Sequence, residues 1–187
     1  MSFVLNILRR LLVRPVIGLA TIGVGTGDYG SAWHDLRASL PVNEERPYAR
    51  RPIEAVKGLY IHHSATKGET IRNMAEYHIE VRGWGGLAYH YAVGWDGQIF
   101  WTNDPTTKSF HTKDHNGNSI AVVIIGNYST LQLTDVQKSA IVKLVDDLTD
   151  QYSLQFVKLH RDVVATQCPG NNAITFLRSI CFDNRHI

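Results

Sequence analysis

A single α/β domain is the fold class that these 187 residues predict: a mixed central β-sheet flanked by helices, with an N-terminal helical and linker extension. Three observations carry it. Strand-like apolar runs alternate with helical periodicity from residue 53 onward, the pattern of a sheet with helices packed against it. The run Ile120-Ala121-Val122-Val123-Ile124-Ile125 is unbroken and largely β-branched, which suits a central strand covered on both faces. The chain is long enough for one sizeable core plus an appended segment, and no internal repeat or low-complexity tract divides it.

Residues 1–52 read as the extension. Phe3–Arg14 can wind as a helix with Val4, Leu8, Leu11 and Leu12 on one stripe and Arg9, Arg10 and Arg14 off it. Val16–Gly27 is apolar or small, yet shorter than the about 20 residues of a membrane-spanning helix. A basic, apolar segment of this kind, residues 1–27, suits docking on a membrane or a virion partner, an export signal, or packing on its own domain. Asp28–Pro52 is polar and punctuated by Gly and Pro, and reads as a linker.

The compact domain, residues 53–187, follows. Lys57–His63 predicts the first strand. Thr70 is placed to cap a helix reaching about Val81, with Ile71, Met74, Ala75 and His78 on its inner stripe. Ala88–Trp95 and Gln98–Thr102 predict a hairpin closed at Asp96-Gly97, with Tyr89, Tyr91 and Val93 on one face. Residues 104–118 lack periodicity and form a long loop, a kind of segment often functional inside compact domains. Thr134-Asp135-Val136-Gln137 is a capping box that opens a helix to about Tyr152, with Val136, Ala140, Ile141, Leu144, Val145 and Leu148 at helical spacing. Phe156–His160 is a further strand. Asn172 or a neighbour then caps a last helix burying Ile174, Leu177 and Ile180.

The formal charge of +2 comes without a clustered basic surface and gives no reason to expect a nucleic-acid partner. Two cysteines, Cys168 and Cys181, do not make a disulfide framework. The chemistry concentrates in Leu159-His160-Arg161-Asp162-Val163-Val164-Ala165-Thr166-Gln167-Cys168-Pro169-Gly170, where a histidine ends an apolar run and a cysteine follows in a Pro-Gly turn. Imidazole and thiolate are the best side-chain ligands for Zn²⁺. A third ligand is available at the end of Leu59-Tyr60-Ile61-His62-His63, where strand alternation lets only one of the two histidines face the metal. Three protein ligands leave a fourth position for water, the catalytic arrangement.

Taken with Gly83-Trp84, Ala88-Tyr89-His90-Tyr91, Trp95-Asp96-Gly97-Gln98-Ile99 and Asn118-Ser119-Ile120-Ala121-Val122, these motifs stand in an order that resembles the zinc-dependent N-acetylmuramoyl-L-alanine amidases. That superfamily includes phage lysozymes of the amidase type and the peptidoglycan recognition proteins. The likeness covers roughly residues 56–180 and leaves the first fifty or so unexplained. The resemblance implies hydrolysis of the amide between N-acetylmuramic acid and L-alanine of the peptidoglycan stem. It implies zinc ligands at His62, His160 and Cys168, the family register favouring His62 over His63. Tyr89 stands where the family has a tyrosine able to donate to the oxyanion, and Thr166 where it has a lysine or threonine. Trp84, His111 and Asn118 are candidates for lining the glycopeptide groove; His78 and His90 read as packed residues. Cys168, where the cytoplasmic muropeptide-recycling branch usually has aspartate, points to the phage and recognition-protein branches, and so to action at the bacterial cell wall. Two other readings stay open: a module that binds peptidoglycan without cutting it, and a virion-associated component carrying an amidase domain.

Overall fold

The computed structural model describes residues 33–185, and the helix expected at Phe3–Arg14 and the apolar run Val16–Gly27 lie outside them. Among the described residues seven strands form one sheet: β1 (Trp33–Asp35), β2 (Gly58–His63), β3 (Tyr91–Val93), β4 (Ile99–Trp101), β5 (Ser119–Ile124), β6 (Phe156–Leu159) and β7 (Phe182–Asp183). Their order is β1-β4-β3-β5-β2-β6-β7. β5, the uninterrupted apolar run, lies at the middle and is buried along its whole length. It pairs in parallel with β2 and β3, and β2 pairs in parallel with β6. β3–β4 and β6–β7 are antiparallel, so the sheet is mixed, as the sequence predicts.

Side chains alternate across the sheet, and each face has its own cover. Leu59, Ile61, Val122, Ile124 and Leu159 pack under helix α2 (Asp135–Tyr152), against Ile141, Leu144, Val145 and Leu148. Ala92 and Val123 face the other way, toward Met74 and Ala75 of helix α1 (Ile71–Glu80). Both helices start as expected. The Thr70 hydroxyl accepts from the Asn73 N–H at 3.1 Å, and Thr134 and Gln137 close a reciprocal capping box. Gln137 rather than Val136 turns inward: its side-chain amide donates to the Tyr128 hydroxyl at 2.7 Å, while Val136 is 54% exposed. The short last helix, α3 (Ile174–Arg178), begins without a side-chain cap. Asn172 instead donates to the Leu131 carbonyl.

Two further expectations are corrected. Residues 33–52 are not a linker. β1 pairs in parallel with β4, the Tyr48 hydroxyl donates to the Gly86 carbonyl at 2.8 Å, and the buried Arg51 guanidinium donates to the carbonyls of Pro105 and Asn116. The polar, Pro-punctuated composition hides anchors that are few and widely spaced. The strand expected from Ala88 begins only at Tyr91, because Thr102 and Asn103 side chains bond the Tyr89 carbonyl where ladder bonds would run. That irregular entry puts Tyr89 against the α1 side of the sheet, while Tyr91 and Val93 join the α2 side.

Candidate metal centre

The centre forms where β2 and β6, adjacent and parallel, come to their ends. His62 pairs with Val123 and therefore shares its face, the α1 side. Ile61 pairs with Leu159, so His160, the next residue after β6, arrives beside His62 with ring centroids 4.4 Å apart. The turn 160–162 is held by Asp162, which accepts from the Leu159 N–H at 2.9 Å and pairs with Arg178 at 2.6 Å. The following loop brings Cys168 back over the strand ends. Its Sγ lies 3.8 Å from His62 Nδ1 and receives the His63 backbone N–H at 3.4 Å. The Thr166 hydroxyl accepts from the Cys168 N–H at 3.2 Å, and Arg161 donates to the Cys168 carbonyl. Gly170 seats the loop: its φ is +95°, and a Cβ there would lie 2.3 Å from the Tyr128 carbonyl carbon.

One ligand atom from each of His62, His160 and Cys168 lies within 4.8 Å of the other two. That is the set read from the sequence. His63 turns the other way: its Nδ1 accepts from the Tyr128 N–H at 3.2 Å, while its backbone N–H reaches Cys168 Sγ. Burial pushes His62 well below the usual imidazole range, with His160, His111 and His63 adding repulsion. His63 is lowered to about 4 and His160 is lowered too, burial being the first cause in both. Both imidazole donors are thus neutral, with a lone pair available for a metal. Burial raises the Cys168 thiol to about 11, opposed by the His63 N–H and by Arg161. The buried Nδ1 of His160 has no hydrogen-bond partner, a state rare for a buried polar atom. Two imidazoles, one of them carrying the orphaned nitrogen, and one cysteine sulfur fit a divalent metal of zinc's softness.

The centre opens into a cleft of about 480 Å³ whose lining includes Trp84, Tyr89, His111 and Thr166 and, among the described residues, no Asp or Glu. Tyr89 sits beside His62, ring centroids 5.2 Å apart. Burial first, then the Cys168 thiolate, raises its pKa, so the phenol keeps its proton. Arg82 lies over the Trp84 ring at 4.9 Å. His111 lines the cleft yet is only 6% exposed, and its two nitrogens face the Thr112 hydroxyl (3.0 Å) and the Ser119 carbonyl (3.1 Å). His78 and His90 are packed, accepting the N–H groups of Ala88 and Ala121. Asn118 is a correction: it is exposed just before β5, five residues from the Val123 that pairs with His62, and is not among the cleft residues. At about 3.3 Å per strand residue it is roughly 16 Å away. Thr112, whose hydroxyl is 3.3 Å from His62 Nε2, was not legible as a functional residue; its one signal was its place beside His111 in the long loop.

The N-acetylmuramoyl-L-alanine amidase family matches residues 51–171. Peptidoglycan-recognition protein SC2 of Drosophila melanogaster is 30% identical over 130 residues, covering 64% of this chain and 71% of that protein. The endolysin of Enterobacteria phage T3 is 27% identical over 128 residues, covering 64% of this chain and 84% of that protein. In fold, the chain is similar to N-acetylmuramoyl-L-alanine amidase LysC from Clostridium intestinale, with a TM-score of 0.70 at 22% identity, covering 80% of this chain and 97% of the other.

Proposed function

Because this chain belongs to the N-acetylmuramoyl-L-alanine amidase family, matched over residues 51–171, we propose that it is a zinc-dependent hydrolase of peptidoglycan. The bond cut is the amide joining N-acetylmuramic acid to L-alanine. The observation that carries this reading is the convergence of His62, His160 and Cys168 at the floor of an open cleft.

A zinc ion held by these three side chains would supply Lewis acidity and a lowered pKa for water in the open position. The chain's own residues do the rest. The Tyr89 phenol, held protonated beside His62, donates to the oxygen that gains negative charge as the amide carbon becomes tetrahedral. The Thr166 hydroxyl accepts the Cys168 N–H, which orients the ligand loop, and its own O–H is a donor at the cleft lining. The His63 backbone N–H supports negative charge on sulfur. No carboxylate lines the cleft among the described residues, so the Tyr89 hydroxyl is the group of this chain that would handle a proton there, in place of an Asp or Glu base.

All three donors are retained, which favours cutting over binding alone. Peptidoglycan places the site of action at the bacterial cell wall, and the endolysin relative supports a phage-encoded lytic role. The test is digestion of purified peptidoglycan, with mass analysis of the products. Stem peptides with a free L-alanine amino terminus, released with zinc and not with chelator, are the expected result. Binding to muropeptides without release refutes hydrolysis and leaves a recognition module.

A further inference from the structure

The side of His62 away from Cys168 carries a hydrogen-bond chain whose polarity can be worked out link by link. It ends on the Ser119 main-chain carbonyl, which can only accept. His111 Nε2, 3.1 Å from that oxygen, must therefore carry a proton. His111 is 6% exposed and its two nitrogens face a hydroxyl and a carbonyl rather than a carboxylate, so a second proton, making it a buried unpaired cation, is disfavoured. A neutral ring protonated at Nε2 has only a lone pair at Nδ1. The Thr112 hydroxyl, 3.0 Å away, donates to it. Having given its proton to His111, Thr112 Oγ1 can only accept from His62 Nε2 at 3.3 Å. His62 must then be protonated at Nε2 and bare at Nδ1, the atom 3.8 Å from Cys168 Sγ.

We propose that Thr112 and His111 are positioning residues that hold His62 in the Nε2–H tautomer, so that its Nδ1 lone pair points into the metal centre beside Cys168. This rests on the metal-dependent reading above. The relay replaces the carboxylate or carbonyl that commonly orients a metal-bound histidine. It also gives His111 and Thr112, the buried start of an otherwise solvent-facing loop, a function that lining the cleft alone does not explain.

The test has two arms. In the metal-free, unaltered chain, long-range proton–nitrogen NMR of histidine-labelled protein reads the tautomer directly. His62 protonated at Nε2 is expected; His62 protonated at Nδ1 overturns the proposal. In the second arm, zinc affinity is measured by competition with a chromophoric chelator for the unaltered chain, Thr112→Val and Thr112→Ser. Valine, of the same shape without the hydroxyl, is expected to weaken binding about 10- to 100-fold, and serine to restore it to within a few-fold. Equal affinity in Thr112→Val overturns the proposal, and should that variant not fold, the tautomer measurement decides alone. An unaltered chain that binds no zinc overturns the metal-dependent reading instead, and the NMR arm still judges the relay.

Discussion

Lowering the pH from 6.5 to 4 should unfold the metal-free protein, and histidines rather than carboxylates should be the cause. His90 is fully buried between β5 and the loop that follows β4, its Nδ1 accepting from the Ala121 N–H at 3.1 Å and its Nε2 facing the Thr107 carbonyl at 2.9 Å. Burial first, then the nearby Arg51, lowers its pKa to about 3. In the unfolded chain it returns to about 6.5. Between those values the unfolded state binds a proton that the folded state refuses, so stability falls as pH falls, by about 1.36 kcal/mol per pH unit. From pH 6.5 to 4 this one residue removes roughly 3 kcal/mol. His63 and His78, each lowered to about 4 chiefly by burial, act over nearly the same window. Three such protons give a slope of about 4 kcal/mol per pH unit, against a typical total stability of about 5–15 kcal/mol. Asp35 and Asp104 are held below 3.8, Asp35 by its hydrogen bond to Arg37 and Asp104 by Thr106 against an opposing burial effect. Their stabilisation is present above 3.8 and lost only as pH falls lower, which separates the two classes. The assay is urea denaturation in chelator at pH 7.5, 6.5, 5.5 and 4.5, for the unaltered chain and His90→Gln. The variant should be weaker at pH 7.5 by about 1–3 kcal/mol, from the orphaned Ala121 N–H. Its slope should be shallower by about 1.36 kcal/mol per pH unit. A slope below about 1 kcal/mol per pH unit in the unaltered chain, or an unchanged slope in the variant, refutes the reasoning.

Two substitutions test other links. Tyr89→Phe should retain zinc and stability while the rate of L-alanine-terminated peptide release drops about 100- to 1000-fold, the usual loss for one oxyanion donor; unchanged turnover removes Tyr89 from the chemistry. Gly170→Ala forces a side chain into a φ of +95° and against the Tyr128 backbone, and should cost roughly 3 kcal/mol or more in thermal or urea denaturation. A fully stable Gly170→Ala protein would mean the Cys168 loop is not seated as described.

The parts of this molecule with strong periodicity were legible in its residues. β5 declares itself by the apolar run 120–125, which covers all of the strand but its first residue, and α2 by a capping box followed by a helical stripe. His62, His160 and Cys168, the three side chains that converge, could be singled out because each lies at or just beyond the end of a strand or in a turn, where a side chain can leave the sheet. Alternation alone could say that one of His62 and His63 faces the centre, but not which. The answer lies in the register with Val123, a contact 61 positions away along the chain. β1 escaped because three residues give no measurable period, and its partner strand is far off in sequence. Asn118 misled because a residue quoted in an ordered motif can serve the start of a strand rather than the cleft at its other end. Thr112 was invisible for a related reason: a lone threonine in an aperiodic loop acquires meaning only when folding sets it between two imidazoles.

The most direct measurement is the metal content of the purified protein, by mass spectrometry, beside that of His62→Ala and His63→Ala. One zinc per unaltered chain, none above background in His62→Ala, and a metal retained in His63→Ala are the predicted results. Zinc lost from His63→Ala but kept by His62→Ala would contradict the assignment, and no zinc in any of the three would contradict the account as a whole.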